Sequence, residues 1–302
     1  MSAIGKHAIA VLIPCLNEGP TIAQVVRDCR EVLPGAQVYV YDNGSTDNSV
    51  EVAANAGAKV CHERLRGKGN VVRRMLGEIK ADVYILVDGD NTYDLSGAPA
   101  LVQTLLNGGY DMVTTARMAE PGALSFYDRF GIKLLSWLVS LVFQTRMRDV
   151  LSGYRLFSRR FVESFSGVSH GFEIETELNL HALELKMPIK EASVLYRQRP
   201  HGSKSKFRTV TDGLRILLTI VSYVKRDRPL RFFSFLSFLL MPLSAVLALS
   251  GILPRLSFLS IGSDVLLLAV LIFTFGLVFE RSARRRRELK RISQSTTHPS
   301  DL

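Results

Sequence analysis

Two carboxylates separated by one glycine, Asp88-Gly89-Asp90, follow directly on an apolar run, Val83-Tyr84-Ile85-Leu86-Val87. The run is short and rich in β-branched residues, which predicts a fully buried strand rather than a helix. Open α/β sheets bind ligands just beyond the carboxyl ends of their strands, and Asp88 and Asp90 fall there. The spacing puts both side chains on one side of an extended chain, and Gly89 lets a ligand come close to the backbone. Two hard oxygen donors so placed suit Mg²⁺ or Mn²⁺ bridging to a diphosphate, with Asp88 and Asp90 as metal ligands. Taken alone, the same triplet is also an ordinary acidic turn.

The surrounding pattern supplies the elements that must position these residues. Ile9 to Ile13 reads as a buried strand ending in Pro14-Cys15-Leu16-Asn17-Glu18, and Thr21 to Leu33 has helical periodicity. Gln37 to Tyr41 is a second strand, running into Asp42-Asn43-Gly44-Ser45-Thr46-Asp47, whose Gly44 supplies a turn and whose polar residues cap a helix. Ala58 to Cys61 is a third strand, and Gly67-Lys68-Gly69-Asn70 opens a helix to Lys80. Beyond the central strand come a helix near Ala98 to Leu106 and a strand at Asp111 to Thr115. Strands alternating with helices at this spacing predict βαβ units and a mainly parallel sheet, with right-handed crossovers bringing the strand ends to one edge. No Gly-x-Gly-x-x-Gly follows the first strand and no Walker loop is present, so neither dinucleotide nor P-loop chemistry is expected. Gly67-Lys68-Gly69 by itself is as ordinary as any surface turn.

Net charge is +10 over 302 residues, with the excess concentrated from Arg197 onward. Lacking an aromatic-plus-basic RNA signature or zinc-finger spacing, the chain is read as binding no nucleic acid; its cations suit phosphate ligands or an anionic membrane face. Cys15, Cys29 and Cys61 are scattered and odd in number, which suits buried thiols in a reducing compartment. The first residues lack a signal-peptide pattern, so the first domain is expected in the cytosol.

The ordered set Pro14-x-Leu16-Asn17-Glu18, Asp42-Asn43-Gly44-Ser45-Thr46-Asp47, Gly67-Lys68-Gly69 and Asp88-Gly89-Asp90 resembles the family 2 glycosyltransferases. Asp149-Val150-Leu151-Ser152-Gly153-Tyr154-Arg155, Gly171-Phe172-Glu173 and His201-Gly202-Ser203-Lys204-Ser205-Lys206 continue the resemblance downstream. Within the family it looks most like the polyprenyl-phosphate branch, which includes dolichyl-phosphate mannose synthases and bacterial undecaprenyl-phosphate glucosyltransferases. The resemblance implies an α/β GT-A fold in which Pro14, Leu16, Glu18 and Gly89 line a nucleotide pocket and Asp42 meets the base. Many relatives have a second Asp where this chain has Asn43. Lys68 would hold the base or phosphates, and Asn91 or Asp94 would add an outer ligand to the metal on Asp88 and Asp90. Arg117 and Arg129 would hold an acceptor phosphate, with Lys133 where relatives often have Ser; the plainer reading is a solvated basic face. An acid at Asp149 sits near the reacting centre in the glucosyltransferase relatives, although a turn or cap residue is equally natural there.

Glu173, Glu175 and Glu177 open a helix, where carboxylates meet the dipole favourably, and His181 on the same helix is expected to pack. Arg197, Arg199, Ser203, Lys204 and Lys206 form a basic loop suited to closing over a diphosphate or to lying beside a membrane. The helix from Ser125 to Phe143 is very apolar and suits a lipid surface or a neighbouring domain. Phe207 to Val224 is amphipathic, and Phe232 to Leu253 and Leu256 to Phe279 are each long enough to span ~30 Å of hydrocarbon. A tight Pro254-Arg255 link makes them a hairpin, and flanking Lys and Arg put both termini on the cytoplasmic side of the plasma membrane. The expected organisation is a catalytic domain over 1–206, an interfacial helix over 207–228, a transmembrane hairpin over 229–280 and a basic tail over 281–302, disordered after Ser293.

The expected activity is inverting transfer of a sugar from a nucleotide-sugar donor, UDP-linked before GDP-mannose, to a polyprenyl phosphate. Rival readings are a family 2 enzyme acting on a hydroxyl acceptor and a non-catalytic membrane adaptor. Homo-oligomerisation stays open.

Overall fold

A computed structural model describes residues 7–297 apart from 201, 204 and 250–257. The chain divides into two units between Thr219 and Ile220. The first runs β1 (Ile9–Cys15), α1 (Ile22–Val32), β2 (Gln37–Asp42), α2 (Ser49–Asn55), β3 (Lys59–His62), α3 (Lys68–Glu78) and β4 (Val83–Leu86). It continues with α4 (Ala98–Asn107), β5 (Met112–Ala119), α5 (Phe126–Phe143), β6 (Arg155–Ser158), α6 (Arg159–Ser164), α7 (Ile174–Leu185), β7 (Ile189–Tyr196) and the start of α8 (Thr209–Asp227).

Alternation along β1 explains the layers. Ile9, Val11 and Ile13 face one core with Ile22, Val25, Val26 and Cys29 of α1 and Leu101, Val102 and Leu105 of α4. Ala10 and Leu12 face a second core with Val72, Met75 and Leu76 of α3, Phe161 of α6 and Ile174 and Leu178 of α7. A strand buried on both faces must be apolar throughout, which is why β1 and β4 show no polar alternation. Each fully buried Leu, Ile or Val of this kind contributes roughly 1.5–3 kcal/mol.

The sheet has seven strands in the order β3-β2-β1-β4-β6-β5-β7. β1 through β4 pair in parallel as their spacing predicts. β6 and β7 are not legible as strands in the sequence, and β6 runs antiparallel to both β4 and β5. Two successive reversals leave β5 parallel to β4, and β7 parallel to β5. The carboxyl ends of all strands except β6 therefore meet along one edge.

The second unit holds the rest of α8 and two long helices, α9 (Pro229–Leu249) and α10 (Phe258–Thr297). Pro229–Val246 and Ser263–Arg285 are long and apolar enough to cross a membrane. Along their shared face Ser237 Oγ donates to the Ala269 carbonyl at 2.9 Å, and Gly276 brings α10 close to Phe233. The expected Pro254-Arg255 turn and Lys204 lie outside the described residues. α10 continues to Thr297, whereas the composition after Ser293 suggested disorder. The strong helix formers lie before Ser293, where Arg284 pairs with Glu280 one turn away.

Candidate active site

One cavity of about 570 Å³ lies at the shared strand edge. It gathers Pro14, Leu16, Glu18, Lys68, Asp88, Gly89, Asp90, Arg117, Arg199 and Lys206 from the residues singled out in the sequence. They come from distant parts of the chain, Glu18 and Lys206 bonding across 188 positions, and the sheet edge unites them.

The carboxylates are all compensated. Asp88 accepts from Lys68 Nζ at 2.5 Å, and Asp90 pairs with Arg199 Nη2 at 2.5 Å. Asp90 also accepts from the backbone N–H and hydroxyl of Thr92, in a turn where Asn91 takes φ 57°. Glu18 accepts from Lys206 Nζ at 2.5 Å and from Ser203 Oγ at 2.8 Å. Burial raises the Asp90 carboxyl pKa and the Asp88 charge adds to it, against the pull of Arg199. Burial likewise raises Glu18 against Lys206 and Ser203. Space at Asp88 depends on Gly153, where a Cβ would stand 2.1 Å from Asp88 Oδ2. Tyr93 holds that glycine, its hydroxyl accepting from Gly153 N–H at 2.7 Å.

Lys68 enters from a loop with little room. Gly67 takes φ 125°, and a Cβ there would lie 2.2 Å from the His170 carbonyl. Gly69 N–H donates to the same carbonyl at 2.9 Å. Burial opposes the charge on Lys68, but Asp88 and Glu175 outweigh it and raise its pKa. Asn43 lines the cavity and its side-chain oxygen accepts from Gly67 N–H at 2.7 Å. Asp42 is buried outside the lining, accepting from the N–H groups of Gly44 and Ser45.

Arg117 and Asp149 form a two-point pair, Nε to Oδ2 at 2.6 Å and Nη2 to Oδ1 at 2.9 Å. The Tyr196 ring lies under the guanidinium with its centroid 5.4 Å away. Asp149 itself is 3% exposed and has both oxygens engaged, so it presents no free base. Arg129 and Lys133 are exposed on α5 and do not line the cavity. Ser203 is outside the lining and reaches the site through Glu18, to which it donates, and through Arg199, from whose Nη1 it accepts at 3.1 Å. His181 packs edge-on against Phe161 and Phe165 and bonds Ser164.

Glu175 is the site residue that reading the helix start as a dipole partner missed. It is 6% exposed, lines the cavity and accepts from Lys68 Nζ at 2.5 Å. The i, i+2, i+4 spacing held a signal: Glu173 and Glu177 share one helix face and Glu175 must point away from it.

The lining also has an apolar component. Leu124, Tyr127, Ile132 and Leu135 from α5 and the segment just before it contribute to it, as do Leu151 and Phe207, with Asp128 among them. α5 is fixed at its start by a capping box between Ser125 and Asp128, and Asp128 also accepts from Thr209 at the start of α8.

Residues 10–165 match the family model described as glycosyl transferase family 2. Glycosyltransferase AglJ of Haloferax volcanii is 34% identical over 76% of this chain and 77% of its own length. Protein RfbJ of Shigella flexneri is 50% identical over 40% of this chain and 93% of its own length. Among solved structures, glucosyl-3-phosphoglycerate synthase from Mycobacterium tuberculosis, in complex with Mn²⁺, UDP and glucosyl-3-phosphoglycerate, superposes with a TM-score of 0.60. That alignment covers 72% of this chain and 80% of the synthase at 22% identity. The fold is GT-A-like, and the chain belongs to the family 2 glycosyltransferases.

Proposed function

We propose that this glycosyltransferase moves a sugar from a nucleoside diphosphate, UDP-linked by preference, onto a polyprenyl phosphate at a membrane surface. The observation that carries the reading is one cavity with a mixed lining. Asp88, Asp90 and Glu18 with Lys68, Arg199 and Lys206 line it together with Leu124, Ile132, Leu135 and Phe207. A donor diphosphate suits the charged set, and an amphiphilic acceptor suits a cavity that also offers apolar surface. Two helices able to cross a membrane support the same substrate class.

The chain's residues fit a divalent cation beside Asp88 and Asp90. Asp88 and Asp90 offer hard oxygen donors, and both already stand against positive charge from Lys68 and Arg199. When bound, the cation would supply charge neutralisation to the departing diphosphate.

In this reading Arg199 and Lys206, now on Asp90 and Glu18, are the cations that turn to the donor phosphates. Arg117 holds the acceptor phosphate, and Asp149 fixes the guanidinium in place. A phosphate is already anionic at neutral pH, so transfer needs alignment more than a strong base. Inversion follows from a single displacement, phosphate oxygen attacking as the nucleoside diphosphate leaves.

The test is incubation of the full chain with UDP- and GDP-sugars and either undecaprenyl phosphate or 3-phosphoglycerate, followed by mass analysis of products. A sugar–phosphate–polyprenol product is expected. Transfer to 3-phosphoglycerate alone would move the acceptor to a small soluble acid, as in the solved synthase.

A further inference from the structure

Lys68 serves two carboxylates at once. Its Nζ lies 2.5 Å from Asp88 Oδ1 and 2.5 Å from Glu175 Oε1, with the Phe172 ring centroid 5.8 Å away. The loop that carries Lys68 rests on the backbone of Ser169 and His170, and that backbone is held in turn from α7. Glu177 accepts from the N–H groups of Val168 and Ser169, and Glu173 from those of His170 and Gly171. The three alternating glutamates thus divide their work, two fixing the support and the third gripping the lysine.

Resting on the donor-site reading above, we propose that Glu175 is a positioning residue that lets Lys68 yield Asp88 to a divalent cation. A cation arriving at Asp88 competes with the ammonium already there. Expelling a buried ammonium with no second partner would leave an uncompensated charge beside the incoming ion, which is strongly unfavourable. Glu175 provides that partner. Lys68 leaves Asp88 without leaving the site, stays neutralised, and remains aimed at the donor diphosphate. Without Glu175, Lys68 is thrown wholly onto Asp88 and excludes the cation.

The assignment makes opposite predictions for the two halves of the pair, read by Mn²⁺ titration with electron paramagnetic resonance in the presence of UDP, with no turnover. Lys68→Met removes the competitor and should tighten Mn²⁺ binding several-fold. Glu175→Gln, of nearly the same shape, should weaken it by about tenfold in the native background and by less than about threefold in the Lys68→Met background. Equal weakening in both backgrounds would mean Glu175 acts on the ion by its own charge and would overturn the proposal while leaving the donor site standing. Unchanged or weaker Mn²⁺ binding by Lys68→Met would overturn it too, with no alteration at Glu175 required. A native chain that binds no Mn²⁺ with UDP present would overturn the donor-site reading and this proposal together.

Discussion

At the scale of single residues, the site is a set of pairs in which each charge is held by another that a ligand can replace. Gly153 shows how little slack this leaves. A methyl group there meets the end of the Asp88 side chain rather than the backbone, so the side chain must turn aside. Gly153→Ala should therefore fold with a nearly native melting temperature yet lose about tenfold to hundredfold in kcat/KM, because displacement by ~1 Å is that costly to alignment. Asp149→Asn keeps the shape but removes the charge that fixes Arg117. It should raise KM for the lipid phosphate while leaving donor KM near its native value; the reverse split would detach Arg117 from the acceptor. Burial pushes the thiols of Cys15 and Cys29 up to about 12. Only about one in ten thousand of such thiols is ionised at pH 8, and the thiolate is the reactive form. Native protein should accordingly expose at most one thiol to an alkylating reagent, and all three after denaturation, as counted by mass.

At the scale of elements, α5 does two jobs. It contributes Tyr127, Ile132 and Leu135 to the lining of the cavity. Its outer face exposes Phe126, Phe130, Leu134, Trp137 and Leu141 at helical spacing, with Arg129 and Lys133 exposed beside them. An apolar stripe flanked by cations is the pattern of a helix lying in a bilayer interface. Phe130→Ser combined with Trp137→Ser touches nothing buried and should change folding stability by no more than about 0.5 kcal/mol. Its effect should appear as a raised KM for polyprenyl phosphate in vesicles and an unchanged KM for the nucleotide sugar. α5 is legible in the sequence as one long apolar stretch, and the structure buries Leu135, Val139 and Phe143 of it, four residues apart. β7 was illegible for the opposite reason: Ile189-Lys190-Glu191-Ala192 is an edge strand with mixed burial and no clean alternation. β6 consists of only four residues, and nothing local dictates that it should lie between β4 and β5.

At the scale of the whole molecule, a GT-A-like unit is followed by two helices able to span a membrane. A chain ended after Asp227 lacks both spans but keeps every residue lining the cavity. It should bind UDP within about threefold of the full chain, and membranes should release it when salt rises from 0.1 to 1 M, where screening shortens from about 10 to about 3 Å. The full chain should resist that wash. Release of both would argue against spanning, and retention of the shortened chain at high salt would assign the anchorage to apolar contact by α5 and α8.

Local pattern alone determined the apolar strand ending in Asp88-Gly89-Asp90, the alternation of strands and helices before it, the glycines around Lys68 and the two long apolar helices. These follow from periodicity and turn chemistry among neighbours a few residues apart, which physics lets one read directly from a chain. Only the tertiary structure decided which charge answers which. Lys68 meets Glu175 across 107 positions, Lys206 meets Glu18 across 188, and Arg117 takes Asp149 out of service as a free base. Those partners are chosen where buried charges must be neutralised at a shared sheet edge, and an antiparallel β6 between β4 and β5 sets that edge through long-range pairing.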